Sequence, residues 1–349
     1  MDRPRLNLAS DGLDLDPRAT AQLLERLTRD GSVIPDSYGL GGTVAAFEAR
    51  LAAALGKERA IVMPTGTLAN LLALDLLADR RARRIVVQAD GHIMNDVGDA
   101  AARRAGLTLV PLQDRGAGYS AAALDQAVAH AASGRVAQPI AAAVIETPVR
   151  RRLAQMVDMA DFDAVVAAAR RHGLRLHLDA ARLFIAAAWS GRGVAALCAP
   201  FDTVYVSLYK QLGTPFGAAL AGPAALIDGL HHERRGWGGG LAQMWPAAVI
   251  ADHFLDGMAE RWARIAAMAP EVWQALAASG RFTVERIQNG SNIAKITPTG
   301  DADGFARRAE AMAIRLPEKA GAAWPIRANE TWLQTTAAEI AARLVSAAG

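Results

Sequence analysis

Of the 38 basic residues only four are lysines, Lys57, Lys210, Lys295 and Lys319; the rest are arginines. A lysine amine can shed its proton and attack a carbonyl, whereas a guanidinium stays charged. Lys210 alone of the four closes a strongly apolar, alternating run, FDTVYVSLYK, directly before the Gly/Pro turn QLGTPFG. That placement suits an amine that holds an aldehyde and lets it go. A tethered surface lysine is the plainer alternative.

Other residues extend the same chemistry. Asp179 ends the apolar run of LRLHLDAA, where a carboxylate needs a cationic partner or several donors. A protonated ring nitrogen would be such a partner, and Arg182, three residues on, can reach the same place; an Asp–Arg pair capping the next helix is the competing reading. In MPTGTLAN, Gly66 and Thr67 stand where the chain turns into a helix, offering free N–H groups and a hydroxyl to a phosphate, although Thr-Gly-Thr is also an ordinary helix cap. His92, in QADGHIMND, could stack on a ring or act as a base near neutral pH. Ser207 could donate to a phosphate. An amine for an aldehyde, a carboxylate for a ring nitrogen, a helix start for a phosphate and an imidazole for a ring together describe pyridoxal 5′-phosphate.

These residues must be positioned by a scaffold. From about 45 to 225 helical and strand-like patterns alternate: TVAAFEARLAAALG and LANLLALDLLADRRAR read as helices, and RIVVQAD, AAAVIET, LRLHLDAA and TVYVSLYK as short strands. Strands apolar along their whole length and separated by helices imply a mostly parallel sheet covered on both faces, an α/β fold. Ligands in such sheets gather beyond the C-terminal strand ends, where Asp90 with His92, Glu146, Asp179 with Arg182, and Ser207 with Lys210 would sit. After about 245 long Ala- and Arg-rich helices give way to the strand-like RFTVERI, SNIAKITP and WPIRANE. The expected division is a large domain over 1–250, whose N-terminal segment contributes to the site, and a smaller α/β domain over 251–349.

With 349 residues, 52% of them hydrophobic, the chain can bury one large core and a smaller one. Its net charge of +3 is spread along the sequence, and no basic run is interleaved with aromatics, so no nucleic-acid partner is expected. One cysteine, Cys198, excludes an intramolecular disulfide. There is no secretory leader pattern and no apolar window of membrane-spanning length, so a cytoplasmic protein without a membrane partner is expected. The fingerprint G-x-G-x-x-G is absent from GLGGT, which argues against a nucleotide-dependent dehydrogenase. His231, His232 and Glu233 lack a further ligand, and no metal is expected.

The ordered blocks TGTLAN, a strand-end histidine, HLDAARLF, SLYKQLGTPFG and RRGWGGG resemble the threonine aldolase branch of the β-eliminating lyases, which have the fold type I architecture. The resemblance runs from about Asn7 to about 260. It implies that Lys210 carries pyridoxal phosphate as a Schiff base, that Asp179 pairs with the ring nitrogen and that His92 stacks on the ring. It places Arg182 by the phenolic oxygen or the substrate carboxylate, and Gly66, Thr67 and Ser207 at the phosphate. Arg235 would reach the phosphate of a neighbouring subunit, so a homodimer or homotetramer is implied, and Ser10 would lie near the amino acid's carboxylate, for which Arg327 is a further candidate. The implied reaction is cleavage of a β-hydroxy-α-amino acid to glycine and an aldehyde; β-elimination, racemisation and transamination use the same fold, and a non-catalytic binding protein is disfavoured by Lys210. Three positions depart from the family pattern. Ala242 stands where an arginine follows the glycines, Thr147-Pro148-Val149 replaces a Thr-His-Asn segment, and Ala328 stands where a carboxylate-gripping arginine is expected, with Arg327 one residue away.

Overall fold

The computed structural model describes residues 5–349. Its strands, in chain order, are β1 (Leu6–Asn7), β2 (Arg59–Met63), β3 (Arg84–Gln88), β4 (Thr108–Leu112), β5 (Ile140–Glu146) and β6 (Arg175–Asp179). They continue with β7 (Thr203–Ser207), β8 (Ala218–Gly222), β9 (Phe282–Arg286), β10 (Ile293–Pro298), β11 (Ile314–Arg315) and β12 (Trp324–Arg327). A seven-stranded sheet runs in the order β2-β8-β7-β6-β5-β3-β4. Its strands pair in parallel from β4 through β7, and β8 alone runs against its neighbours.

The parallel strands explain their own composition. β7 is buried at every position and β6 at all but its first, because helices cover both faces and leave no side for polar residues. The exceptions, His177, Asp179, Thr203 and Ser207, are buried polar groups and so need partners. On one face lies the helix Gly66–Leu77, mostly buried, with Thr65 Oγ1 accepting from Leu68 N (3.2 Å) at its start. The expected continuation of this helix through ADRRAR does not occur. Asp79 instead accepts from the backbone N–H groups of Arg81 (2.6 Å) and Ala82 (2.7 Å), a local turn that competes with helix.

The run ending in Lys210 is also not all strand. β7 stops at Ser207, and Leu208–Gln211 forms one helical turn, with Leu212 N donating to Leu208 O (2.9 Å). Leu208 and Leu212, four residues apart, are both buried, while Tyr209 between them is half exposed; the spacing that mimicked strand alternation is that of a helix face.

β12, β10 and β9 form an antiparallel sheet, and β1 pairs in parallel with β11. The N-terminal strand is thus tied to the C-terminal part of the chain before the segment Ser10–Gly12 crosses to the Lys210 turn. Asn329, fully buried, fastens this crossing: its Nδ2 donates to Asn7 O (2.7 Å) and Ser10 O (2.8 Å). Gly12 lies so close beneath the turn that a Cβ there would stand 2.4 Å from Lys210 O. No helix among the described residues is long and apolar enough to cross a membrane.

Candidate active site

Parallel pairing aligns Glu146 and Asp179, the last residues of β5 and β6, with Tyr205 in the middle of β7. With His92, Arg150, Arg182 and Lys210 they line one narrow pocket, with about 20 Å³ of space accessible to water. The sequence therefore places its candidate amine, carboxylate, imidazole and arginine together at the C-terminal edge of the sheet, where open parallel sheets take ligands.

Asp179 is 2% exposed. Its Oδ2 accepts from Asn70 Nδ2 (2.8 Å) and lies 3.5 Å from His92 Nδ1; its Oδ1 accepts from Ala181 N (3.3 Å). Burial pushes this carboxyl up, but the hydrogen bond and charge of His92, with the charge of Lys210, outweigh it and hold it below the ordinary carboxylate range. His92 opens the short helix His92–Asn95. Burial lowers the affinity of its ring for a proton, yet the hydrogen bond and charge of Asp179, with Glu146, raise its pKa overall. Nδ1 also lies 3.3 Å from Asn70 Nδ2, so it accepts from that amide when neutral and faces the carboxylate as a donor when protonated.

Glu146, 4% exposed, accepts from His92 N (2.6 Å) and Arg150 N (3.2 Å) and so fixes the start of the His92 helix. Burial, together with the charge of Asp179, pushes its carboxyl up to about 7.

Arg182 points into the pocket but is held by Asp11, which its Nε (2.9 Å) and Nη2 (2.8 Å) grip in a two-pronged ion pair. Arg327 Nε lies 3.6 Å from the other oxygen of the same carboxylate. Both arginines thus reach the site through the N-terminal segment. A one-residue shift in β12 does not turn Arg327 away: it faces Asp11, while Ala328 is fully buried. Burial raises the Asp11 carboxyl, but Arg182, with Arg327 and Lys210, brings it below its ordinary value. Ser10, one residue before Asp11, accepts from the Asn7 side-chain amide and donates to Gly12 O (3.1 Å).

Gly66 stands at the helix start beneath Tyr205: a Cβ there would lie 2.0 Å from the phenolic oxygen. Thr65 and Thr67 line an adjoining open groove with Trp237 and Gly238. Ser207 is buried two residues from Tyr205 along β7, and its hydroxyl has no hydrogen-bond partner among the described residues. Two residues singled out from the sequence lie elsewhere in their own chain. Asp90 is turned away from the pocket onto Arg152 (2.7 Å) and Gln113 (2.8 Å), and Arg235 is exposed, its guanidinium 4.3 Å from the centre of the Tyr38 ring. The neighbouring Arg234 is fully buried, donating to Val62 O (2.5 Å) and Tyr38 O (2.6 Å).

Sequence reasoning missed Asn70, His177 and Asp11 as parts of the site. Asn70 and His177 were readable only as polar residues inside apolar runs, a pattern that demands a buried partner without naming it.

These residues fit pyridoxal phosphate: an ionised buried carboxylate with few direct donors, an amine in the same pocket, and a helix start that only glycine fits. A family model described as β-eliminating lyase matches residues 17–298. The chain is 26% identical over 228 residues to a probable low-specificity L-threonine aldolase 2 from Arabidopsis thaliana, covering 64% of each. It is 30% identical over 208 residues to the alanine racemase TOXG of Cochliobolus carbonum, covering 58% of this chain and 51% of that one. These matches span between half and two thirds of the curated relatives. Among solved structures, a putative L-allo-threonine aldolase from Listeria monocytogenes superposes with a TM-score of 0.81 at 22% identity, over 99% of this chain and 96% of that one, which establishes the shared fold.

Proposed function

The chain belongs to the β-eliminating lyase family, and from that premise we propose that it is a pyridoxal-phosphate-dependent carbon–carbon lyase that splits a β-hydroxy-α-amino acid of the threonine or allo-threonine type into glycine and an aldehyde. The observation that supports this most is the meeting of Lys210, Asp179, His92 and Arg182 in one pocket at the strand ends. Bound there, the cofactor supplies a sink for the electron pair released at the substrate's Cα.

The protein's own groups do the remaining work in this reading. Lys210 would hold the cofactor's aldehyde and, as a free amine, would be able to carry a proton. Asp179 stays ionised against the ring nitrogen. His92 would lie against the ring and would take the β-hydroxyl proton, with Asp179, 3.5 Å from its Nδ1, stabilising the imidazolium. Gly66 and Thr67 offer N–H groups and a hydroxyl to the phosphate, beside Ser207. Arg182 and Arg327, joined at Asp11, take the substrate carboxylate with Ser10.

The enzyme is further proposed to act in the cytoplasm as a homo-oligomer, with its two parts dividing near residue 250. Ile34, Tyr38, Leu40 and Leu241 are exposed around Arg235, an apolar rim that a second copy would cover while receiving the arginine at its phosphate site. Light scattering of the purified protein tests this assembly.

Racemisation is the second reading, favoured by the 30% identity to the alanine racemase TOXG. Both are tested by visible spectra of wild type and Lys210→Ala with pyridoxal phosphate, followed by product analysis with L-threonine, L-allo-threonine and L-alanine. A lysine-dependent band with glycine and acetaldehyde supports the lyase. D-alanine without aldehyde would replace the lyase by a racemase, and absence of a lysine-dependent band would sink both.

A further inference from the structure

Behind Asp179 runs a line of buried polar groups that the proposed reaction does not use directly. The register of the sheet sets His177 beside Thr203 and on the same face as Asp179, two residues along β6. The helix Gly66–Leu77 lays Asn70 across both. His177 Nδ1 lies 2.8 Å from Thr203 Oγ1, His177 Nε2 lies 3.0 Å from Asn70 Oδ1, and Asn70 Nδ2 donates to Asp179 Oδ2 at 2.8 Å. Asn70, His177 and Thr203 are all fully buried.

Each of these groups has one workable orientation. Because the Asn70 amide nitrogen faces a carboxylate, its oxygen must face His177, which therefore carries its proton on Nε2. A neutral imidazole then has Nδ1 free to accept from the Thr203 hydroxyl. Burial lowers the His177 pKa to about 4, so the ring is neutral at physiological pH. The line thus adds oriented dipoles next to Asp179 without adding charge. If His177 let go, Asn70 could rotate its oxygen toward the carboxylate, replacing a donor with a repulsive lone pair.

We propose that Thr203, His177 and Asn70 form a positioning chain that holds Asp179 aimed at the cofactor's ring nitrogen. This rests on the pyridoxal phosphate reading above, and His177 acts through Asn70 rather than on substrate. A merely structural role, filling polar needs between sheet and helix, is distinguished by a cofactor analogue.

The experiment compares binding of pyridoxal phosphate and of its 1-deaza analogue, in which carbon replaces the ring nitrogen and the aldehyde is kept. Affinities are measured by absorbance and fluorescence for wild type, His177→Leu and His177→Gln, with melting curves to monitor folding. Loss of one hydrogen bond toward a charged group predicts about tenfold weaker binding of pyridoxal phosphate to His177→Leu, with affinity for the analogue unchanged within about twofold. His177→Gln, whose amide can still donate to Asn70, should recover most of the loss. Equal weakening for both ligands would overturn the proposal, as would unchanged affinities in a wild type that prefers pyridoxal phosphate. A wild type that binds both ligands equally would overturn the pairing of Asp179 with the ring nitrogen, and the chain's role with it.

Discussion

Replacing Asp11 by alanine should damage this protein more than any other single change in its N-terminal segment. Asp11 Oδ2 accepts from Arg182 Nε at 2.9 Å and lies 2.8 Å from its Nη2, and Oδ1 lies 3.6 Å from Arg327 Nε. The pair is nearly closed to solvent: the Arg182 side chain is 8% exposed and that of Asp11 11%. Removing one partner of a buried pair costs about 3–5 kcal/mol, because the other charge is left without compensation. Arg182 also feels Glu146 and Asp179, which places Asp11→Ala near the lower end, at about 3 kcal/mol. Asp11→Asn, which keeps one acceptor but no charge, should lie between the two. The assay is urea unfolding of the cofactor-free chain at pH 7, followed by tryptophan fluorescence, with the slopes compared so that free energies can be read from the midpoints. Formate, a small carboxylate, should bind between the freed arginines and raise the midpoint of Asp11→Ala more than that of wild type. A loss below about 1 kcal/mol, or equal responses to formate, would refute the reasoning.

Glu48, most of whose carboxyl is buried, accepts from Val62 N (2.7 Å), and burial pushes its pKa up to about 7 despite Arg234. The folded state then binds more protons than the unfolded chain between about pH 4.5 and 7. Stability from this group is full at the acid end of that range and is lost as the pH rises through it, by up to about 3 kcal/mol. Glu48→Gln should flatten that slope in unfolding measured from pH 5 to 8. Gly12→Ala forces its methyl against Lys210 O and should weaken the lysine-dependent absorbance with pyridoxal phosphate about tenfold or more, whereas Gly193→Ala, with open space around it, should not. Glu146→Gln offers one oxygen where two N–H donors, from His92 and Arg150, need acceptors, so it should cost about 1–3 kcal/mol in thermal or urea unfolding.

The sequence by itself determined the scaffold and its active edge. Apolar runs of strand length separated by helical patterns can be covered only in a parallel sheet, and the polar residues closing those runs then share one edge, as Glu146, Asp179 and Ser207 do. Lys210 stood out because lysine is rare here, and the glycine at 66 because it opens a helix. Local turn chemistry was less legible: Asp79 and the Leu208/Leu212 pair redirected the backbone within runs whose period matched another element.

Tertiary structure alone decided the partners. Asp11 and Arg182 are 171 residues apart, Asn70 and Asp179 109, and Asn329 and Asn7 322. A polar side chain in an apolar stretch declares that it must be satisfied when buried, but the group that satisfies it is set by strand register and helix placement. For the same reason RRGWGGG did not reveal that Arg234 turns inward while Arg235 stays on the surface. A helix presents adjacent residues about 100° apart, and only the packed neighbours, here the Val62 and Tyr38 carbonyls, determine which of the two is taken inside.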